Sequence, residues 1–269
     1  MEMEKFNVSV ILPINSSAHR GFDDLFDRAI KSLSIQSLPI NELVIVHSGE
    51  DLLKNFLSNY DFSGLTTNII QNDGEFDFCT QVNLGVKNAK SEWVSVLEFD
   101  DEYSSIWFKN VKRFVDSYPE VDAFLPLVVD TDDKGMFVGF TNEATFAASL
   151  NSEIGYLTND VLLSYQNFQT SGMVIKKSTF NDNGGFKTSM KLTFVYELLL
   201  RLTYNSVKIM TVPRIGYKHM NLREGSIFWN YKNGEEKISD NEVSFWIDSA
   251  KKEHFFTNDR NIKYVPEQQ

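Results

Sequence analysis

The residues with the clearest chemical potential are four carboxylates that follow one apolar run. Glu98, Asp100, Asp101 and Glu102 lie directly after a segment that ends at Leu97. Carboxylates so close together repel one another unless a cation or a positively charged group shares the site. Mg²⁺ and Mn²⁺ favour such oxygen ligands and often complete their coordination with substrate phosphates. The cluster therefore predicts a metal site, the alternative being a solvated acidic turn.

The elements that must position this cluster alternate along the first half of the chain. Short runs rich in β-branched residues predict four strands, at 8–12, 43–46, 67–70 and 93–97. Apolar residues spaced by three and four positions predict helices between them. Such alternation predicts a parallel sheet covered on both faces, with ligands beyond the carboxyl ends of the strands. Three loops form that edge: 13–15, 47–51 and 98–102.

The second half is less regular. A strand pair is predicted at 124–129 and 136–140, and an apolar helix at 192–202, whereas 141–170 carries no clear pattern. Near the end, Ser239 and Glu242 have the spacing of a capping box, which predicts a C-terminal helix.

Composition limits the class of protein. Of 269 residues, 42% are hydrophobic and 23% charged, which excludes general disorder. The single cysteine, Cys79, excludes an intrachain disulfide and a cysteine-cluster zinc site. No apolar run approaches the roughly 20 residues that a membrane span needs. We therefore expect a soluble protein of the cytoplasm, and the net charge of -11 argues against a nucleic-acid partner.

Several motifs, taken in order, resemble the family-two glycosyltransferases with the GT-A fold. The matching residues are Pro13 and Asn15, Gly49 and Asp51, Asn83 and Gly85, Ala89 to Glu92, and Glu98 to Asp101. Further similarity lies in 171–186, 194–202 and 216–226, so the resemblance covers roughly residues 7–225. It implies an α/β GT-A fold, in which a Rossmann-like, mostly parallel sheet is flanked by helices, with a short C-terminal helical extension. The expected divisions are a nucleotide-sugar-binding half at 1–103, an acceptor-side half at 104–228, and the extension at 229–269.

The resemblance also implies a reaction. A hexosyl or pentosyl group would pass with inversion from a nucleoside-diphosphate sugar, by default a UDP-sugar, to an acceptor hydroxyl. Mn²⁺ or Mg²⁺ would offset the charge of the leaving diphosphate. The expected metal ligands are Asp101, Asp100 and His219, although Asp100 could instead hold the ribose or a metal-bound water. Glu98 stands where the family usually has Asp, and His219 could instead contact the diphosphate or be structural.

The nucleotide sugar is expected to contact both halves of the chain. Arg223 would bind phosphate, the alternative being a surface salt bridge. His47 follows the second strand, where the family usually supplies an Asp for uracil, and it either contacts the base or caps the strand without a ligand. The full set of expected contacts is Pro13, Asn15, His47, Asp51, Asn83, Asp100 and Arg223.

The general base is the largest departure from the family. The acidic pair that usually supplies it is replaced by Phe194 and Val195, and neither side chain can accept a proton. Glu197 is the only carboxylate in the segment, which makes it the candidate base. The alternative is a helix-surface ion pair between Glu197 and Arg201 at i+4.

Competing functions stay open. Loss of the acidic pair favours a non-catalytic nucleotide-sugar-binding protein, whereas a GT-A-like nucleotidyltransferase has no Gly-rich phosphate loop to support it. Glycans are the commonest acceptors of the family, and proteins and small molecules are alternatives. A virus-encoded enzyme of the host cytoplasm that glycosylates a hydroxymethylated DNA base is a further alternative, and it would have to extrude that base.

Charge is unevenly distributed along the chain. From 172 to 223, nine Lys and Arg oppose two carboxylates, so the segment carries 9 − 2 = +7 and the remainder -11 − 7 = -18. This distribution predicts a basic face on the acceptor side, which keeps DNA or an anionic glycan open as an acceptor.

Overall fold

The computed structural model describes residues 4–62, 64–143, 155–221, 223–234 and 236–266. Within these ranges ten strands form one sheet: β1 (Phe6–Ile14), β2 (Ile40–His47), β3 (Thr67–Gln71), β4 (Trp93–Val96), β5 (Glu102–Tyr103), β6 (Ala123–Thr131), β7 (Phe137–Thr141), β8 (Tyr156–Leu157), β9 (Val174–Lys176) and β10 (Ile209–Met220). The described helices are α1 (Phe22–Ser34), α2 (Asp51–Asn59), α3 (Phe78–Asn88), α4 (Trp107–Ser117), α5 (Asn159–Ser164), α6 (Lys177–Asp182), α7 (Phe194–Tyr204), α8 (Ile227–Asn233) and α9 (Asp240–Glu253).

The strand order is β3–β2–β1–β4–β9–β6–β10–β5, with β7 beside β6 and β8 beside β10. The pairs β1–β2, β1–β4, β2–β3 and β6–β10 are parallel, and the short strands β5, β7, β8 and β9 run antiparallel to their neighbours. This mostly parallel sheet, flanked by helices, confirms the predicted α/β architecture.

The side chains of β1 alternate between two hydrophobic cores. Val10 and Leu12 pack in a cluster that includes residues of α1, α2 and α4, whereas Ile11 packs with residues of α3, α7 and α9. Successive strand residues point to opposite faces, and both faces are covered, so Val10, Ile11 and Leu12 are apolar in succession. The strands predicted at 8–12, 43–46, 67–70 and 93–97 are confirmed as β1, β2, β3 and β4.

The C-terminal helix belongs to the second core. Ser239 caps α9 by accepting a hydrogen bond from the backbone N–H of Glu242 at 3.2 Å, as the capping-box spacing predicts. The helix buries Trp246 and Ala250, and the hydroxyl of Thr193 donates to the Trp246 carbonyl at 2.8 Å.

The stretch at 141–170, which carries no clear pattern in the sequence, contains β8 and α5, while 144–154 lies outside the described residues. No helix in the described ranges is both long and apolar enough to cross a bilayer.

Topology brings several strand ends to one edge of the sheet. β1, β2 and β4 are parallel, so Ile14, His47 and Val96 end at this edge. β6 is antiparallel to β9, which is antiparallel to β4, so β6 runs in the same direction as β4, and β10 follows β6. The acidic cluster after β4 therefore shares its edge with Asp130 of β6 and His219 of β10.

Close packing of α3 on the sheet gives a first prediction. A Cβ at Gly85 would lie 2.4 Å from Cγ2 of Ile11 and 3.1 Å from Cγ2 of Val46. We expect Gly85→Ala to lower the free energy of unfolding by about 1–2 kcal/mol, because overpacking outweighs the gain in helix propensity. Urea unfolding measures this. In Gly139→Ala the new Cβ would meet no atom within 4 Å, so this control should change stability by no more than about 0.5 kcal/mol; equal effects of the two changes would contradict the packing argument.

Candidate active site

A tight turn folds the acidic cluster against the end of β10. The backbone N–H of Asp101 donates to the Glu98 carbonyl at 3.1 Å, which closes the turn after β4. The strand β5 then pairs antiparallel with β10, where Glu102 lies opposite Lys218 and their side chains approach to 3.1 Å. Glu102 is therefore an ion-pair partner of Lys218 beside the cluster.

Asp101 is the anchor of the cluster. It is 1% exposed, and its Oδ1 accepts a hydrogen bond from the Met220 backbone N–H at 2.8 Å. Its Oδ2 lies 3.0 Å from Nδ1 of His219. Both carboxylate oxygens are thus held by the end of β10, which joins two segments 118 residues apart in the chain.

Three side chains form a candidate metal site. Glu98, Asp101 and His219 each present a ligand atom, and these atoms all lie within 4.8 Å of one another. Carboxylate oxygens with one imidazole nitrogen are a donor set that fits Mn²⁺, and the oxygens also suit Mg²⁺. The group includes two of the predicted ligands, Asp101 and His219, and adds Glu98, whose role the sequence left open.

The protonation of this cluster reflects concentrated negative charge. Burial of its carboxyl group raises the pKa of Glu98 to about 8, and the charge of Asp101 adds to the rise. Burial lowers the pKa of His219, but the neighbouring Asp101 carboxylate outweighs that effect and raises it to about 10. The cluster alone therefore binds protons near neutral pH, and a divalent cation would displace them because metal ligands must be deprotonated.

Asp100 is engaged differently from its neighbour. Its Oδ2 accepts a hydrogen bond from Nε of Arg223 at 2.6 Å, and Asp100 lies outside the three-residue metal group. Burial raises the pKa of Asp100, the Asp101 charge adds to the rise, and the Arg223 guanidinium opposes both. The guanidinium carbon of Arg223 lies 4.9 Å from the ring centroid of Phe99, and His19 stacks on that ring at 5.2 Å.

The predicted nucleotide contacts of the first half lie at the same sheet edge. Pro13 is buried within β1 opposite Val46, and Asn15 is exposed just after that strand. His47 ends β2 and is 5% exposed, and its Nδ1 accepts from the Gly49 backbone N–H at 3.1 Å. Asp51 is the exposed first residue of α2.

Asn83 has a structural role instead. Its Nδ2 donates to the Phe186 carbonyl at 2.8 Å, and its Oδ1 accepts from the Phe186 backbone N–H at 2.9 Å. These two bonds tie α3 to the segment before α7. Because both ends of the amide are used, we do not retain Asn83 as a nucleotide contact.

Glu197 is also placed where a base would not act. The side chain is fully buried, and its two oxygens accept hydrogen bonds from Arg201 Nε and Nη2 at 2.9 and 2.8 Å. The ammonium of Lys187, itself 2% exposed, lies 2.9 Å from Oε1. Lys187 also donates to the Glu253 carbonyl at 2.7 Å. The i+4 ion pair that was the alternative is present, but inside the core, and it argues against Glu197 as the base.

A cavity of about 460 Å³ opens beside the acidic cluster. Its polar lining includes Glu98, Asp100 and His219, together with Asp130 from the end of β6. Phe194 and Val195, which replace the family's acidic pair, also line it. The other aromatic lining residues are Phe78, Phe140, Phe168, Tyr196 and Phe228.

Sequence reasoning missed Asp130. The available signal was that Asp130 follows an apolar strand run, as the acidic cluster does, but the sequence does not give the direction of β6 in the sheet.

The predicted basic face is largely neutralised by partners. Of the nine Lys and Arg between 172 and 223, six pair with carboxylates: Lys176 with Asp122, Lys187 and Arg201 with Glu197, Lys191 with Glu242, Lys218 with Glu102, and Arg223 with Asp100. Lys177 donates to the carbonyls of Lys87 and Ala89. Four of the partner carboxylates lie outside the segment, so a count along the sequence overstated its free positive charge.

Solved structures share this fold. S. aureus TarS 1-349 in complex with UDP-GlcNAc has a TM-score of 0.66 at 16% identity, with 91% of this chain and 65% of that chain covered. The same fragment in complex with UDP has a TM-score of 0.60 at 16% identity, covering 91% and 79%. A further structure of S. aureus TarS gives 0.59 at 15% identity, covering 93% of this chain and 44% of that one. The chain is therefore considerably shorter than the TarS chains, and at these identities the likeness shows a shared GT-A fold.

Sequence comparison gives the family. No curated protein matches the chain. The sequence profile described as "Glycosyl transferase family 2" matches residues 9–168, which include most of β1, the acidic cluster and β6. Because the match covers more than half of the chain and the sheet has the corresponding fold, the chain belongs to glycosyl transferase family 2.

Proposed function

We propose that the chain is a metal-dependent, inverting glycosyltransferase that moves a sugar from a UDP-sugar to an acceptor hydroxyl. The observation that carries the proposal is the group of Glu98, Asp101 and His219 at the end of parallel strands, beside a cavity, in a chain of this family. This is the place where α/β sheets bind ligands, and the donor set suits a cation that binds phosphate.

The cation would be Mn²⁺ or Mg²⁺ held by Glu98, Asp101 and His219, and it would offset negative charge on the leaving diphosphate. Asp101 orients this group, because the Met220 N–H and the His219 ring fix both of its oxygens. Arg223 uses Nε on Asp100 and one Nη on the Glu224 carbonyl. A guanidinium has five N–H donors, so it keeps donors for phosphate, and we place it as the second cationic group of the site.

The nucleotide would lie along the carboxyl ends of β1 and β2. Asn15, His47 and Asp51 remain our proposed contacts there, with Pro13 shaping the end of β1. The TarS structures contain UDP and UDP-GlcNAc, which makes UDP-GlcNAc the first donor to test on this chain. Uridine is the proposed nucleoside, and N-acetylglucosamine is the first sugar to test.

The cavity favours an acceptor with an apolar or flat face. Six aromatic residues line it beside the charged cluster, and aromatic rings stack well on such faces. A glycan is the acceptor we propose, since sugar rings have apolar C–H faces. The paired state of most Lys and Arg in 172–223 removes much of the support for a DNA-base acceptor. A binding-only protein is the second candidate, favoured by Phe194 and Val195 at the positions of the acidic pair.

A screen of nucleotide sugars for thermal stabilisation tests the proposal. At about 100 times its Kd, a bound UDP-sugar should stabilise the protein by about 2.7 kcal/mol, which corresponds to a rise in melting temperature of roughly 5–10 °C. We expect this rise with UDP-GlcNAc or another UDP-sugar in the presence of Mn²⁺, and a much smaller rise in EDTA. If no UDP-sugar raises the melting temperature, or if EDTA changes nothing, the proposal is wrong in its donor or in its metal.

A further inference from the structure

Asp130 is a carboxylate that faces the cavity from the side of β6. It is the penultimate residue of β6, lies opposite His219 in the parallel register with β10, and is 8% exposed. Its position in the sheet places it at the same edge as the acidic cluster, and it lines the same cavity. A carboxylate here can reach a molecule that occupies the cavity beside the cluster.

The contacts of Asp130 hold it in place but leave it able to accept a proton. Its Oδ2 accepts a hydrogen bond from the Thr141 hydroxyl at 2.5 Å, across the β6–β7 hairpin. Its Oδ1 lies 3.5 Å from Nε2 of Gln169, a long contact. A carboxylate offers about four lone-pair positions, so these two neutral donors do not use its capacity. Among the described ion pairs, none links Asp130 to a Lys or Arg.

The other titratable groups lining the cavity have different tasks. Glu98 and His219 belong to the metal group, and the ring of His219 also lies 3.0 Å from Asp101. Asp100 is paired with Arg223 at 2.6 Å. Tyr196 donates its hydroxyl to the Leu162 carbonyl at 3.1 Å. Asp130 is thus the lining carboxylate that neither the metal group nor an ion pair occupies in the described part of the chain.

We propose that Asp130 is the general base of the reaction, a role that rests on the glycosyltransferase function proposed above. An acceptor hydroxyl in the cavity would transfer its proton to the Asp130 carboxylate while its oxygen bonds to the anomeric carbon. The bond from that carbon to the diphosphate oxygen breaks, and UDP leaves with the electron pair. Thr141 and Gln169 are positioning residues, because they fix the carboxylate that they donate to. Phe194 and Val195 supply an apolar wall of the same cavity.

The test is UDP release from UDP-GlcNAc, or from the UDP-sugar that stabilises the protein most, with Mn²⁺ and with water as acceptor. Asp130→Asn keeps an oxygen that can accept from Thr141, so we expect it to fold. We expect UDP release to fall by a factor of about 10²–10⁴, the usual contribution of a general base. The rise in melting temperature caused by the donor should stay as in the wild type. Asp133→Asn, in the adjacent exposed turn, is the matched control and should keep wild-type release.

Azide separates a base from a merely structural group. Azide carries no proton to remove, so it should restore UDP release in Asp130→Ala and yield a glycosyl azide, which mass spectrometry detects. Wild-type release by Asp130→Asn, or loss of donor binding in that variant, would overturn the assignment while leaving the transferase intact. Failure of azide to restore release in a folded, donor-binding Asp130→Ala would also overturn it. If the wild type releases UDP from no UDP-sugar, the proposed function is wrong, and the assignment of Asp130 as its general base is wrong as well.

Discussion

Asp101→Ala is expected to lower UDP release from a UDP-sugar by at least about 10²–10³-fold, the loss seen when one preorganised charge-stabilising group is removed. Asp101 is the most constrained member of the metal group, since both of its oxygens are held by the end of β10. Its removal takes away a ligand and also frees His219 from its partner. The measurement is UDP release at saturating Mn²⁺, together with the rise in melting temperature caused by the donor. We expect that rise to shrink as well.

Two further variants make this result specific. Asp101→Asn retains an oxygen for the Met220 N–H, so a loss of activity in this variant cannot be attributed to loss of that bond. Glu102→Gln changes the adjacent carboxylate, which pairs with Lys218 rather than joining the metal group. We expect it to keep UDP release within a few-fold of the wild type. Full activity of Asp101→Ala would remove the metal assignment, and equal losses at 101 and 102 would point to unspecific disruption of the turn.

Glu197→Ala is expected to lower the free energy of unfolding by about 3–5 kcal/mol, as happens when one partner of a buried ion pair is removed. The change would leave the ammonium of Lys187 and the guanidinium of Arg201 buried without their carboxylate. The remaining acceptors of Arg201, the carbonyls of Asn183 and Gly185, carry no charge. Urea unfolding followed by far-UV circular dichroism measures the loss.

An exposed i+4 pair provides the matched comparison. Lys112 and Asp116 of α4 approach to 2.6 Å, but their side chains are 30% and 60% exposed. Removing Asp116 should cost less than about 1 kcal/mol, since exposed pairs contribute little. Glu197→Gln could instead keep full stability and donor binding but lose UDP release. That result would make Glu197 the candidate general base and would contradict the assignment of Asp130.

Much of the fold could be predicted from the sequence, because strands buried on two faces appear as continuous apolar runs. β1, β2 and β4 are buried at nearly every position and mostly apolar, since helices cover both sides of the sheet. Helices α1 and α4 show their buried stripes at spacings of three and four. The short strands β5, β8 and β9 were not predicted, because two or three residues cannot establish a period and their pairing depends on distant partners.

The site was accessible only in part. The motifs indicated Asp100, Asp101, His219 and Arg223, and the structure brings these four together through the turn after β4, the end of β10 and the residues just after it. The division of roles between the neighbours Asp100 and Asp101 does not follow from the sequence, because a turn sends adjacent side chains in different directions. Asp130 needed the direction of β6, which follows from its pairing with β9 and not from its own residues.

The sequence did not show which charged side chains are buried or which partners they have. The i+4 spacing of Glu197 and Arg201 is the same for a surface pair and for a core pair, so spacing could not distinguish them. The third member, Lys187, comes from outside the helix. The same limit applies to the basic segment, whose charges are balanced by Asp100, Glu102, Asp122 and Glu242 from elsewhere in the chain.

Metal-dependent UDP release by the wild-type protein tests the central claim most directly. The protein is incubated with the UDP-sugar that stabilises it most, first with Mn²⁺, then with excess EDTA, then with Mn²⁺ restored, and UDP is quantified at each stage. We predict release well above the protein-free rate, its loss in EDTA, and its return when Mn²⁺ is restored. A protein that is stabilised by UDP-sugars but releases UDP from none of them would contradict the account and favour the binding-only alternative.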